Sequence, residues 1–222
     1  MTKRPVVGVV LAGGASRRFG ADKLGVPLGG RPLVLHPIEA LRAVTGVGRI
    51  VVVGPATPSE PGWVDAVRTT GAEMTRDPEP FRGPLVALLG ALQALAPDDV
   101  ALVVGGDMPG LETPALERLA AAVLHRGGID LALFTVDGRD EPLPLAISVD
   151  PGCAAARRLV AGGERRLGAL AEALGTRVGR LPVDRRIVRD VDTPEDMKTA
   201  GADEAPAVES GETDGRQRAG YG

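Results

Sequence analysis

Three short β-branched runs constrain the fold of this chain most: "VVGVVL" (6–11), "RIVVVG" (49–54) and "VALVVGG" (100–106). Each has the length of a strand and is apolar almost without interruption. A strand that is apolar on both faces must be covered on both, which places these runs in the middle of a parallel sheet. Amphipathic stretches lie between them. In "GPLVALLGALQALA" (83–96), Leu85, Leu88, Leu89, Leu92 and Leu95 recur at helical spacing. "TPALERLAAAVLHR" (113–126) offers Thr113 as N-cap and Pro114 at the first helical position. "RPLVLHPIEALRAV" (31–44) is also helical in pattern, but Pro37 cannot donate to the preceding turn, so that helix is expected to start late or kink. The alternation predicts an α/β fold, a three-layer α/β/α sandwich with a mostly parallel sheet.

The C-terminal half is less regular. "DLALFTVDGRDEPLPLAISV" (130–149) holds two strand candidates around a turn at Asp137-Gly138, an antiparallel element. Pro142 and Pro144 demote the second strand to an edge or bulged position. "DPGCAAARRLVAGGERRLGALAEALG" (150–175) reads as two helices broken at Gly162-Gly163. From Gly201 the chain is Gly, Ala, Glu, Asp and Pro without periodicity. The expected organisation is one domain over 1–200 and a disordered acidic tail over 201–222.

Composition excludes several classes. The net charge is −3, and the tail alone carries five acids against two bases, so the body is close to neutral. With no basic surplus and 2% aromatics, nucleic acid is a poor partner. One cysteine, Cys153, rules out an internal disulfide and is compatible with a cytoplasmic location. The apolar run at the N-terminus is too short for a signal peptide or a membrane span.

The candidate chemistry lies where the apolar runs end. "VVLAGGASRRFGADK" (9–23) passes from a strand into glycines and then cations. Bare backbone N–H groups at such a turn form an anion cradle, and Arg17, Arg18 and Lys23 add the charge a polyphosphate needs. Neither a P-loop nor a G-x-G-x-x-G fingerprint is present. "VVGGDMPGL" (103–111) ends a strand in Gly105-Gly106-Asp107, and Asp107 there suits a hard cation such as Mg²⁺. A turn-capping role explains Asp107 equally well. "RDPEPFRGPL" (76–85) puts Asp77 where it could accept from a base or ribose, with Gly83-Pro84 starting the next helix toward the same crevice. In "RDVDTPEDM" (189–197), Thr193 to Asp196 is a strong helix start. Asp190 and Asp192 stand just before that start, and one of them could reach the metal.

Together these runs resemble the molybdenum cofactor guanylyltransferases, the MobA family of Rossmann-like nucleotidyltransferases, over roughly residues 5–200. The family's opening motif is met by Leu11, Ala12, Gly13, Gly14, Ser16, Arg18, Gly20, Asp22 and Lys23, and the match continues through "GPLVALLGALQ", "GGDMP", "DGRDEPLPLAI", "AGGERRLGAL" and "DVDTPEDM". The resemblance implies a Rossmann-like fold and transfer of GMP from GTP to the terminal phosphate of molybdopterin, with release of pyrophosphate. It implies that Leu11, Ala12, Gly13, Gly14 and Gly54 contact the nucleotide, that Arg18 and Lys23 face its phosphates, that Asp77 meets the nucleoside and that Asp107 binds Mg²⁺. Arg139, Arg165 and Arg166 are implied for the pterin. Transient contact with cofactor-biosynthesis or acceptor proteins is a further expectation, and membranes are not. Where the family usually has Asn-x-Asn, this chain has Asp190 and Asp192; acidic versions occur in related cytidylyltransferases. The opening Leu-Ala-Gly-Gly, in contrast, departs from the Leu-Ala-Ala-Gly of the cytidylyl branch. Cytidylyl transfer, or transfer to another phosphorylated acceptor, is the alternative, and a non-catalytic nucleotide carrier is a third reading. A phosphate nucleophile is already ionised near neutral pH, so this chemistry rests on positioning and charge rather than on a general base. His36 and His125 are expected to be structural or surface residues.

Overall fold

The computed structural model describes residues 4–13, 22–54, 62–76, 82–125 and 127–200, with the backbone of 201–203. Gly14, Arg17, Arg18 and Asp77 lie outside the described residues, as does the tail from 204. The first two apolar runs form β1 (Val6–Leu11) and β4 (Val47–Gly54), and the third forms β6 (Val100–Gly105). A two-stranded ribbon, β2 (Pro27–Leu28) and β3 (Arg31–Pro32), lies between β1 and β4. With β5 (Glu73–Arg76), β7 (Leu131–Val136), β8 (Arg139–Ser148) and β9 (Val178–Pro182), the long strands make one sheet in the order β5-β4-β1-β6-β8-β7-β9. Within this seven-stranded sheet every strand but β8 runs the same way; β8 is antiparallel to both β6 and β7. The expected Rossmann-like sandwich, mostly parallel with an antiparallel element, is the fold observed.

Each central strand feeds two cores. Val7, Val9, Val51, Val53, Ala101 and Val103 face one side of the sheet. Val6, Val10, Ile50, Val52, Val100, Leu102 and Val104 face the other. The first side is covered by α3 (Pro84–Gln93), α5 (Val149–Ala161) and α6 (Ala169–Leu174). The second is covered by α1 (Leu35–Ala43), α2 (Trp63–Thr69) and α4 (Thr113–His125). The final helix, α7 (Pro194–Asp203), packs Met197 and Ala200 against Leu28, Leu33 and Val191.

Several sequence expectations are sharpened. α1 does start late, at Leu35, which leaves Pro37 in the first turn, where a missing N–H costs nothing. The carbonyl of Glu112, not Thr113, accepts the first α4 bond from Leu116, and the Thr113 hydroxyl donates to Ala40 instead. β8 is not an edge strand. Glu141 pairs with Phe134 and Leu145 with Leu133, so Pro142, Leu143 and Pro144 bulge out of the ladder together. The bulge removes the prolines from the hydrogen bonding that an interior strand demands. α6 begins at Ala169, well past the glycine pair, and the backbone of α7 runs to Asp203, past Gly201. The short elements α2 and β5 carry too few residues to show a period in sequence.

Candidate active site

The strand order reverses between β1 and β6: the chain builds outward from β1 through β4 to β5, then returns to place β6 on β1's other side. A crevice opens beyond the carboxyl ends of strands at such a point. Its floor is stitched by backbone bonds. The Ala12 N–H donates to Val53 and the Gly106 N–H donates to Leu11, at 2.9 and 3.0 Å. Of the expected nucleotide contacts, Leu11 ends β1, Ala12 is buried beneath the turn, Gly13 is exposed and Gly54 ends β4. All four belong to the carboxyl-end rim. A side chain at Gly105 would meet Asp107 Oδ1 at 2.7 Å, so the glycine leaves room for that carboxylate to fold back over the end of β6.

Lys23 opens a 3-10 turn, Lys23–Gly25, and is 9% exposed. Its ammonium lies 2.6 Å from Asp107 Oδ2 and 2.9 Å from Asp192 Oδ1, and donates to the Val191 carbonyl at 3.0 Å. Burial acts to lower the Lys23 pKa. The Asp107 and Asp192 carboxylates outweigh it, and the net effect is upward. The preceding residue, Asp22, accepts a 2.7 Å bond from Trp63 Nε1 on α2, and Gly25 packs alongside the same indole. The Lys23 turn is thus pinned to the core by the chain's one tryptophan.

Asp190 and Asp192 both reach the site, where one of the two was expected. One carboxylate oxygen from each of Asp107, Asp190 and Asp192 falls within 4.8 Å of the others. The reason is Val191. It is fully buried, its N–H donates to the Asp107 carbonyl at 2.9 Å and its own carbonyl faces Lys23; with Val191 turned into the core, the aspartates on either side of it, two residues apart, present one common face. Asp190 is exposed to solvent, but desolvation by the atoms around it, then the Asp192 and Asp107 charges, hold its carboxyl above its ordinary range. Three hard oxygen donors at this spacing suit a small divalent cation that keeps part of its water shell.

Asp196 completes the arrangement. Its carboxylate accepts from the N–H groups of Asp192 and Thr193 at 3.1 and 2.8 Å and from the Thr193 hydroxyl at 2.7 Å, while its own N–H donates back to that hydroxyl. The predicted helix start is therefore also the clamp on Asp192. Sequence reading missed this role, and also those of Val191 and Trp63, which act through contacts across the fold. Of the arginines expected at the pterin, two have local partners. Arg165 donates to the carbonyls of Val160 and Glu164, and Arg166 pairs with Glu164. Arg139 is exposed at the start of β8, on the rim. His36 is buried with its Nε2 3.2 Å from the Leu28 carbonyl, in keeping with a structural role.

A sheet of this topology, with glycine turns, a lysine and acidic residues gathered at its switch point, defines a nucleotidyltransferase of the Rossmann-like class. The chain belongs to the MobA-like NTP transferase domain family, which it matches over residues 8–178. It is 31% identical over 204 residues to a probable molybdenum cofactor guanylyltransferase of Chloroflexus aggregans, covering 88% of this chain and 93% of that protein. A protein of the same description from Pyrococcus furiosus is 40% identical over 116 residues, 52% of this chain and only 54% of the relative. Among solved structures, molybdopterin-guanine dinucleotide biosynthesis protein A from Archaeoglobus fulgidus shares the fold with a TM-score of 0.68 at 22% identity, over 88% of this chain and 97% of that one. Among the described residues no helix is long and apolar enough to cross a membrane.

Proposed function

We propose that this enzyme transfers GMP from GTP to the terminal phosphate of molybdopterin or its molybdenum-loaded form, releasing pyrophosphate, and that it works in the cytoplasm. The observation that carries the reading is the convergence of Lys23, Asp107 and Asp192 at the sheet's switch point, in a chain with relatives described as guanylyltransferases. An oxygen of the acceptor phosphate attacks the α-phosphorus, and the bond to the departing pyrophosphate breaks. The turn after β1, through Leu11 to Gly14, presents backbone N–H groups to the nucleotide. Arg18 and Lys23 oppose the charge of its phosphates, with Gly54 and Asp77 on the nucleoside side. Asp107 would hold Mg²⁺, with Asp190 and Asp192 as the further carboxylates in reach. A bound ion would supply neutralisation of phosphate charge. No side chain need remove a proton, because the attacking oxygen is already ionised.

The deciding experiment offers the purified chain molybdopterin with each of GTP, CTP, ATP and UTP and follows both the dinucleotide product and pyrophosphate. GTP alone should support transfer. Transfer from CTP alone would give the enzyme the other base, and nucleotide binding without pyrophosphate release would make the chain a carrier. The acidic Asp190-x-Asp192 pair, shared with cytidylyltransferases by resemblance, makes the CTP arm the important control.

A further inference from the structure

A lysine ammonium has three N–H donors. All three of Lys23's have acceptors here, in Asp107, Asp192 and the Val191 carbonyl. The residue is buried, and its carboxylate partners belong to the three-acid group that, on the reading above, holds the divalent cation. One small pocket thus serves two cations. An ammonium 2.6 Å from Asp107 and 2.9 Å from Asp192 repels any second positive charge brought to those oxygens. A lysine with every donor engaged also has none left for a phosphate. In this arrangement Lys23 competes with a metal for two of the three carboxylates and has no donor left for the triphosphate.

We propose that Lys23 exchanges partners during binding: without nucleotide it serves as the internal counter-ion of Asp107 and Asp192 and keeps divalent cations out, and the triphosphate draws it away and opens the carboxylates. The inference rests on the assignment of the three-acid group to the cation. Its flexible four-carbon stem suits Lys23 to such a move, as a planar guanidinium would not. The consequence is coupling. Nucleotide and cation each bind weakly alone and tightly together, by the same factor whichever comes first. The lysine so prevents a free cation from being stranded on an empty site.

The test measures Mn²⁺ binding by electron paramagnetic resonance, without nucleotide, to the wild-type chain and to Lys23→Met. Removing the counter-ion should tighten Mn²⁺ binding by about tenfold or more, within the usual range of coupling between sites. Lys23→Gln, which removes the charge and keeps donors, serves the same purpose if Lys23→Met does not fold. Lys23→Arg, which keeps the charge, should bind Mn²⁺ no better than wild type. Equal or weaker Mn²⁺ binding by the neutral variants overturns the exchange, while the metal assignment stands provided wild type binds Mn²⁺ in the presence of GTP. If no Mn²⁺ binds wild type even with GTP, the metal assignment falls and the exchange falls with it.

Discussion

The N–H of Val191 donates to the carbonyl oxygen of Asp107 at 2.9 Å. This bond ties the loop after β6 to the loop before α7, and it turns two loops into one site. Lys23 then bridges both, since the Asp192 carboxylate and the Val191 carbonyl lie on one loop and the Asp107 carboxylate on the other. Burial of Val191 among Leu28 and Leu33 holds the second loop in place.

Loss of the Asp107 charge should abolish nucleotidyl transfer. In Asp107→Ala, turnover is expected to fall by about 10²-fold or more, the scale on which a preorganised charge acts. The far-ultraviolet circular dichroism spectrum should be unchanged, because Asp107 sits on a loop and is a quarter exposed. Full pyrophosphate release by this variant would remove Asp107 from the mechanism.

Asp196 governs Asp192 at a distance from the chemistry. Asp196→Ala removes the reciprocal cap at the start of α7 and should cost about 0.5–2 kcal/mol in urea unfolding. The same change frees the Asp192 N–H, so turnover should fall as well. Asp196→Asn keeps acceptor capacity and should lose less of both. Equal loss in the two variants would point to the charge of Asp196 rather than to its hydrogen bonds.

The two loops also meet at Gly110. A β-carbon there would stand 2.6 Å from the Arg186 carbonyl oxygen, and the obstructing atom is backbone. Gly110→Ala should therefore force the loops apart and destabilise the fold by about 1–3 kcal/mol. Gly138→Ala is the comparison: it places a side chain in open space, although at a positive φ of +75°. A smaller loss of stability in Gly110→Ala than in Gly138→Ala would show that the loops adjust freely.

Acid should loosen the segment that follows α5. The Arg166 guanidinium, then the backbone N–H groups of Arg166 and Arg165, pull the Glu164 pKa down from 4.5 to about 2. A carboxylate with a depressed native pKa contributes stability that is full above its unfolded value and is lost as the pH falls through the native one. Wild type should therefore be more stable than Glu164→Gln by a constant margin above about pH 5. The margin should shrink between 4.5 and about 2 and vanish below. Parallel stability curves across that range would show that Glu164 is not anchored in solution. The Arg165 carbonyl, next in sequence, accepts from the Leu85 N–H at the start of α3, so this titration reaches the rim of the crevice.

The amino-acid sequence by itself determined the layers. Runs such as "VVGVVL" and "VALVVGG" can be satisfied only inside a sheet covered on both faces, and the leucine spacing of 85–95 only by a helix lying on it. It also marked the residues proposed for the chemistry, since the glycine turn and Asp107 follow directly on apolar runs and Lys23 closes the cation-bearing stretch after the first. Only the tertiary structure decided how those residues meet. That the Asp190-x-Asp192 pair meets Asp107 follows from a buried valine and a backbone bond between loops far apart in sequence. β8 lies inside the sheet despite two prolines because a bulge removes them from its ladder, a choice that depends on β6 and β7 as neighbours. Lys23 was legible as a cation for phosphate. Its place among carboxylates was not, because the partner in Asp192 lies 169 positions away and alternation along a strand says nothing of what folds back against it.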